Sequence, residues 1–118
     1  MDLNKTFYKT LKSFLKDLIL VFPEDDGFKI ITTKIHLAML EDDDSSIIKS
    51  FHKTFLPLSD LIERRDNLFF YDEYWKNSDF ELFTKINSFW DELSEHNRKT
   101  IWDYIQLIFS ISSKIYVQ

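Results

Sequence analysis

The stretch LNKTFYKTLKSFLKDLILVFP, from Leu3 to Pro23, decides the fold class of this chain. Its apolar residues Leu3, Phe7, Leu11, Phe14, Leu15, Leu18 and Phe22 recur at intervals of three and four. That spacing gathers them on one face of an α-helix, whereas a strand facing one core would show a period of two. Pro23 closes the helix, because it has no backbone N–H to donate and its ring crowds the preceding turn. The polar residues Glu24, Asp25 and Asp26 with the lone Gly27 predict a turn, in which glycine supplies backbone freedom. Beyond it Phe28, Ile31, Ile35, Ala38 and Met39 keep the helical period. The β-branched cluster Ile30, Ile31, Thr32 and Thr33 would also suit a strand. No second strand-like segment exists to pair with it, and an isolated strand leaves its backbone groups unsatisfied, so a helix is expected.

Farther along, Asp44 or Ser45 can cap a third helix with Ile47, Ile48, Phe51 and Phe55 inward. Pro57 separates it from a short fourth helix near Leu58 to Arg65, started by Ser59 or Asp60 and burying Leu58, Leu61 and Ile62. After the aromatic stretch Asn67 to Trp75, Asn77, Ser78 and Asp79 offer caps for a fifth helix carrying Phe80, Phe83, Ile86, Trp90 and Leu93 inward. Ser94 caps the last helix. Its apolar face runs through Ile101, Trp102, Ile105, Ile108, Phe109 and Ile115, with Ser112 interrupting near the end and Glu95 favourable at the positive end of the helix dipole. At 118 residues the chain holds one core. The expectation is an all-α, single-domain bundle of five or six helices over residues 1–118, with Trp90 and Trp102 as core anchors.

Composition narrows the function classes. Hydrophobic residues at 44% and charged residues at 30% suit a folded globular chain, neither disordered nor membrane-embedded. The longest apolar run, Leu18 to Phe22, is far short of the roughly 20 residues of a membrane span, and no secretory signal is expected. The absence of Cys rules out disulfide and thiolate chemistry and fits an intracellular setting. A formal charge of −5 argues against a protein devoted to nucleic-acid phosphates. The single Gly excludes a glycine-rich phosphate loop. Ser, His and Asp occur without a signature that groups them, and His36, His52 and His96 share no ligand spacing. Glu41 to Asp44 lacks the alternating ligands, glycine and distal Glu of a calcium loop and reads as an acidic cap. No catalytic, cofactor-binding or metal-ligating residue is assigned, and a non-enzymatic role is expected.

Two surfaces remain. Lys5, Lys9, Lys12 and Lys16 form one helical stripe nearly opposite the apolar face. A solvated face is the first reading; contact with phosphates of nucleic acid or of a membrane surface is the alternative, weakened because the stripe contains no Arg. Leu68 to Trp75 packs Phe69, Phe70, Tyr71, Tyr74 and Trp75 together. This stretch reads either as a plug in the core or as a partner surface, since Phe is usually buried while Tyr and Trp are enriched at interface centres. If Phe70 and Tyr74 face inward on one helix, Tyr71 and Trp75 point about a quarter turn away and form the candidate surface.

The stretches Phe14-Leu15-Lys16-Asp17-Leu18-Ile19, Phe22-Pro23-Glu24-Asp25, Phe28-Lys29, Trp90-Asp91-Glu92-Leu93-Ser94 and Lys99-Thr100-Ile101-Trp102-Asp103-Tyr104-Ile105 resemble a family of small uncharacterised proteins of nucleocytoplasmic large DNA viruses, the giant viruses. Both ends of the chain carry the resemblance, and the middle, from about Glu41 to Asn77, matches only loosely. Each stretch is a helix face, cap or stop. The resemblance therefore implies a viral origin and a shared helical fold, with host cytoplasm or virion as the setting, and transfers no active-site residue. The expected role is a protein-interaction or structural module with a protein partner or a second copy of the chain. Nucleic-acid association through the lysine stripe is the alternative.

Overall fold

A computed structural model describes residues 2–41, 46–75 and 81–116. Among them are seven α-helical segments and no strand: α1 (Leu3–Val21), α2 (Asp26–Leu40), α3 (Ser46–Phe55), α4 (Ser59–Arg64), the single turn α5 (Asp72–Trp75), α6 (Glu81–Phe89) and α7 (Glu95–Ile115). Short 3-10 turns occupy Leu56–Leu58, Asn67–Phe70 and Trp90–Glu92. The all-α bundle expected from the periodicity is the observed architecture. The sequence caps at Asp44 or Ser45 and at Asn77, Ser78 or Asp79, together with Phe80, lie outside the described residues.

The spine is the long pair α1 and α7, which pack along each other; α3 packs on α7, and α2 lies against α1 and α6. Asp2 caps α1 by accepting from the Lys5 N–H at 3.1 Å, and Ser94 caps α7 by accepting from the Asn97 N–H at 3.1 Å. Such bonds satisfy donors that the first helical turn leaves open. The α1 face is buried at Phe7, Leu11, Phe14, Leu15 and Leu18, as its period requires, with Leu3 and Phe22 half-buried at the ends. On α7, Ile101, Trp102, Ile105 and Ile108 are buried, and Phe109 and Ile115 partly so. Trp90 and Trp102 are both core residues, 6% and 4% exposed.

Several local expectations are corrected. Gly27 is not in a turn of left-handed backbone: Asp25 is the α2 N-cap, accepting from the Phe28 N–H at 3.3 Å, and Gly27 lies in the first helical turn with negative φ. Its smallness has another use, because a Cβ there would stand 2.5 Å from Lys85 Cε and 2.8 Å from Asp25 Oδ1. Residues Ile30 to Thr33 are helical, as expected, with the Thr32 hydroxyl donating to the Phe28 carbonyl at 2.6 Å. Ala38 is exposed, and the buried Leu82 of α6 was not anticipated. Neither Ser59 nor Asp60 caps α4 through its side chain.

Candidate interaction surfaces

The segment from Arg65 to Trp75 is shaped from both ends. Arg65, at the C-terminus of α4, takes left-handed backbone with φ 53°, a conformation that costs a non-glycine residue about 1 kcal/mol. Its side chain explains why arginine is kept there: the guanidinium donates to Asp103 Oδ1 at 2.5 Å and to Gln106 Oε1 at 2.7 Å on α7. Gln106 Nε2 in turn donates to the Ile62 carbonyl at 3.0 Å, which also accepts from the Arg65 N–H, so α7 grips the end of α4. Asp103 also accepts from Lys99 Nζ at 3.0 Å, and these two cationic partners, Arg65 first, hold its carboxyl below the usual 3.8. Asp66 then caps the next turn, accepting from the Leu68 N–H at 3.0 Å.

Two short helical turns follow, separated at Tyr71, whose backbone is extended at φ −61° and ψ 129°. This break resets the helical phase. Phe69 and Phe70 are both fully buried, and Trp75, 1% exposed, swings inward against Phe55, Phe69 and Phe83 with ring centroids 6.0, 5.2 and 4.6 Å away. Its indole Nε1 donates to the Phe69 carbonyl at 2.7 Å, so the turn is tied to itself inside the core. The expectation of a surface formed by Tyr71 and Trp75 is therefore corrected. Tyr71 is exposed, Trp75 belongs to the core, and Tyr74, expected inward with Phe70, is exposed instead. A continuous helix would give the expected pattern; the extended residue at Tyr71 removes the continuity on which it rested. What remains outside is a ledge of Leu68, Tyr71 and Tyr74, 58%, 52% and 42% exposed, with the two tyrosine rings edge to face at 5.9 Å.

The lysine stripe stands where its period puts it. Lys5, Lys9, Lys12 and Lys16 are all exposed on α1. Lys5, Lys9 and Lys12 border an open groove of about 490 Å³ together with Asp2, Asn4 and Tyr8. Lys16 lies beyond it. Asp2 places a carboxylate at the same end, which opposes anion binding there.

The chain matches no known protein-family model, no curated protein and no solved structure. Function therefore rests on the surfaces and on the few polar clusters the fold creates. One such cluster could not be read from spacing: His52 Nδ1 lies 3.2 Å from Ser112 Oγ, sixty residues away in sequence. Ser112 is fully buried and its hydroxyl donates to the Phe109 carbonyl at 3.0 Å. Which partner donates across the His52–Ser112 contact depends on the imidazole tautomer, and the Phe109 carbonyl competes for the one hydroxyl proton. The histidine ring lies over Phe109 and against Tyr116, so the pair fastens α3 to the end of α7. Among the described residues no group of three His, Asp or Glu is placed to hold a metal ion.

A second cluster joins α2 to α6. Lys85 Nζ is 3.0 Å from Asp25 Oδ1 and stands over the Phe28 and Phe89 rings at 5.4 and 5.5 Å. The lysine hydrogen bond is the main reason the Asp25 carboxyl is held below 3.8. Phe22 completes the aromatic floor, stacked on Phe28 at 4.6 Å. A third link joins the spine: the Tyr104 hydroxyl donates to Asp17 Oδ2 at 2.5 Å while its ring stacks on Phe14. Burial first, then the neighbouring carboxylate, pushes the Tyr104 phenol up to about 12. These three clusters cross-link helices, and the second borders two open, shallow grooves of about 350 Å³ each, one beside Lys85 and one beside Asp25 and Phe89.

Proposed function

We propose that this chain is a protein-binding module that presents the Leu68, Tyr71 and Tyr74 ledge to a protein partner. The observation that carries the reading is the division within one short aromatic stretch. Phe69, Phe70 and Trp75 build the core, while Leu68, Tyr71 and Tyr74 stand in solvent on a turn anchored from beneath. Tyrosine gives an interface a large contact area at low conformational cost and keeps a hydroxyl for polar contacts at the rim. A ledge held rigid from below loses little further entropy on binding. In the setting implied by the resemblance to giant-virus proteins, the partner is a viral or host protein of the infected cell or virion.

The test uses Tyr71→Ser with Tyr74→Ser in one chain. Affinity recovery from infected cells, read by mass spectrometry, should lose the partners that the parent protein retains, while the thermal melt stays within a few degrees of the parent. Unchanged recovery with an unchanged melt would defeat the proposal. The second reading, phosphate contact through Lys5, Lys9, Lys12 and Lys16, is favoured by their shared exposure on α1, the first three bordering one groove. It predicts duplex binding that weakens steeply with added salt, whereas an apolar ledge does not. Among the described residues no helix is long and apolar enough to cross a membrane.

A further inference from the structure

α2 is apolar on two opposite sides. Its inner side carries Phe28 and Thr32, both buried, with Ile31, Ile35 and Met39 packed partly against the core. Its outer side carries Ile30, Leu37 and Leu40, which are 57%, 55% and 78% exposed. These three, with Thr33, Lys34 and Glu41, recur at threes and fours and make one continuous stripe facing away from α1 and α6. A helix that is apolar all round is normally covered on both sides.

We propose that the outer face of α2 is covered by a second copy of this chain, the two α2 helices packing antiparallel about a two-fold axis at Leu37. A contact between identical copies requires a patch that complements itself. This one does so. Lys34 precedes Leu37 by three residues and Glu41 follows it by four, and both lie on the same flank of the apolar stripe. In an antiparallel pair the same flanks of the two helices adjoin, so Lys34 of each copy meets Glu41 of the other, twice over. Leu37 packs on its counterpart at the axis, and Leu40, on the other flank, meets Thr33 of the opposite copy. A partner of unrelated sequence would impose no such internal match of charge.

Size sets the strength. A helix of 15 residues is about 22 Å long. One helix laid on its twin buries less than the roughly 800 Å² per partner of a standard stable interface. The dimer is therefore reversible, with monomer and dimer exchanging over the micromolar range. It is independent of the tyrosine ledge, which lies on another part of the chain.

Sedimentation velocity on the full chain, over protein concentrations from about 1 μM to about 1 mM, should show a monomer–dimer equilibrium. Leu37→Glu should raise the Kd by roughly thirtyfold, the effect of losing a central anchor and apposing two carboxylates. Circular dichroism should show an unchanged fold, because Leu37 is more than half exposed; Leu40→Lys provides an independent disruption at a still more exposed site. Lys34→Glu and Glu41→Lys should each weaken the dimer by about fivefold, and the two together should restore it, because the exchange re-forms both ion pairs with signs reversed. A monomer at every concentration, or a dimer indifferent to Leu37→Glu and Leu40→Lys, would overturn the proposal. A double charge variant as weak as the single ones would overturn the antiparallel pairing.

Discussion

Replacing Trp75 by Ala is the sharpest test of how the aromatic stretch divides between core and surface. The side chain is 1% exposed and touches three other buried aromatic rings, Phe55, Phe69 and Phe83. Truncating a buried tryptophan to alanine costs about 3–5 kcal/mol, the transfer term plus the cavity left behind. The change also strips the Phe69 carbonyl of the indole N–H at 2.7 Å, and a buried acceptor left without its partner adds about 1 kcal/mol or more. A total near 5 kcal/mol is comparable with the whole stability of a small domain, so the variant should melt roughly 15 °C or more below the parent, or fail to fold. Trp75→Phe separates the two contributions: it keeps an aromatic ring in the site and loses the hydrogen bond, for a cost of about 2 kcal/mol. Tyr71→Ser, on the exposed side of the same turn, should stay within about 0.5 kcal/mol. Thermal and urea melts followed by far-ultraviolet circular dichroism measure all three. If Trp75→Ala melts within a degree or two of the parent, or if Tyr71→Ser proves the more damaging change, the phase reset at Tyr71 is wrong and the ledge with it.

Two further perturbations probe the links between helices. Tyr104 is raised above its ordinary value of 10.0 to about 12, so the stabilisation from its hydrogen bond to Asp17 is fully present below pH 10 and is lost as pH climbs through 12. Ultraviolet titration should show a late-ionising phase that Tyr104→Phe loses; a titration that Tyr104→Phe leaves unchanged would refute the assignment. Gly27→Ala would ordinarily favour a helix, yet here the new Cβ displaces the Lys85 ammonium from Asp25, and the lost ion pair and ring contacts should offset that gain, leaving the thermal melt no higher than the parent's. In a Lys85→Ala background the same change should become neutral or stabilising, and strictly additive effects in that double-mutant cycle would show that the glycine is not there to admit the lysine.

The helical class and much of the core were legible in the linear sequence. The spacing of Phe7, Leu11, Phe14, Leu15 and Leu18 permits only one face, and the Ser94 cap and the faces of α3 and α7 follow from the same periodicity, which needs no knowledge of what the face packs against. The lysine stripe was legible for that reason too. Periodicity holds only while the helix is continuous. Between Arg65 and Trp75 the chain makes a left-handed turn and an extended residue, and the first is stabilised by Asp103 and Gln106, some forty positions distant. No local signal announces such a break, so Trp75 and Tyr74 exchanged sides. The same limit hid the space that Gly27 leaves for Lys85 and the bond that buries Ser112 against His52, because each depends on a partner brought near only by packing. The outer stripe of α2 shows the converse. The pattern places Phe28, Ile31, Ile35 and Met39 on the packed face, and the tertiary structure alone shows that Ile30, Leu37 and Leu40 stay uncovered within one copy, because α1 and α6 pack against only one side of this helix.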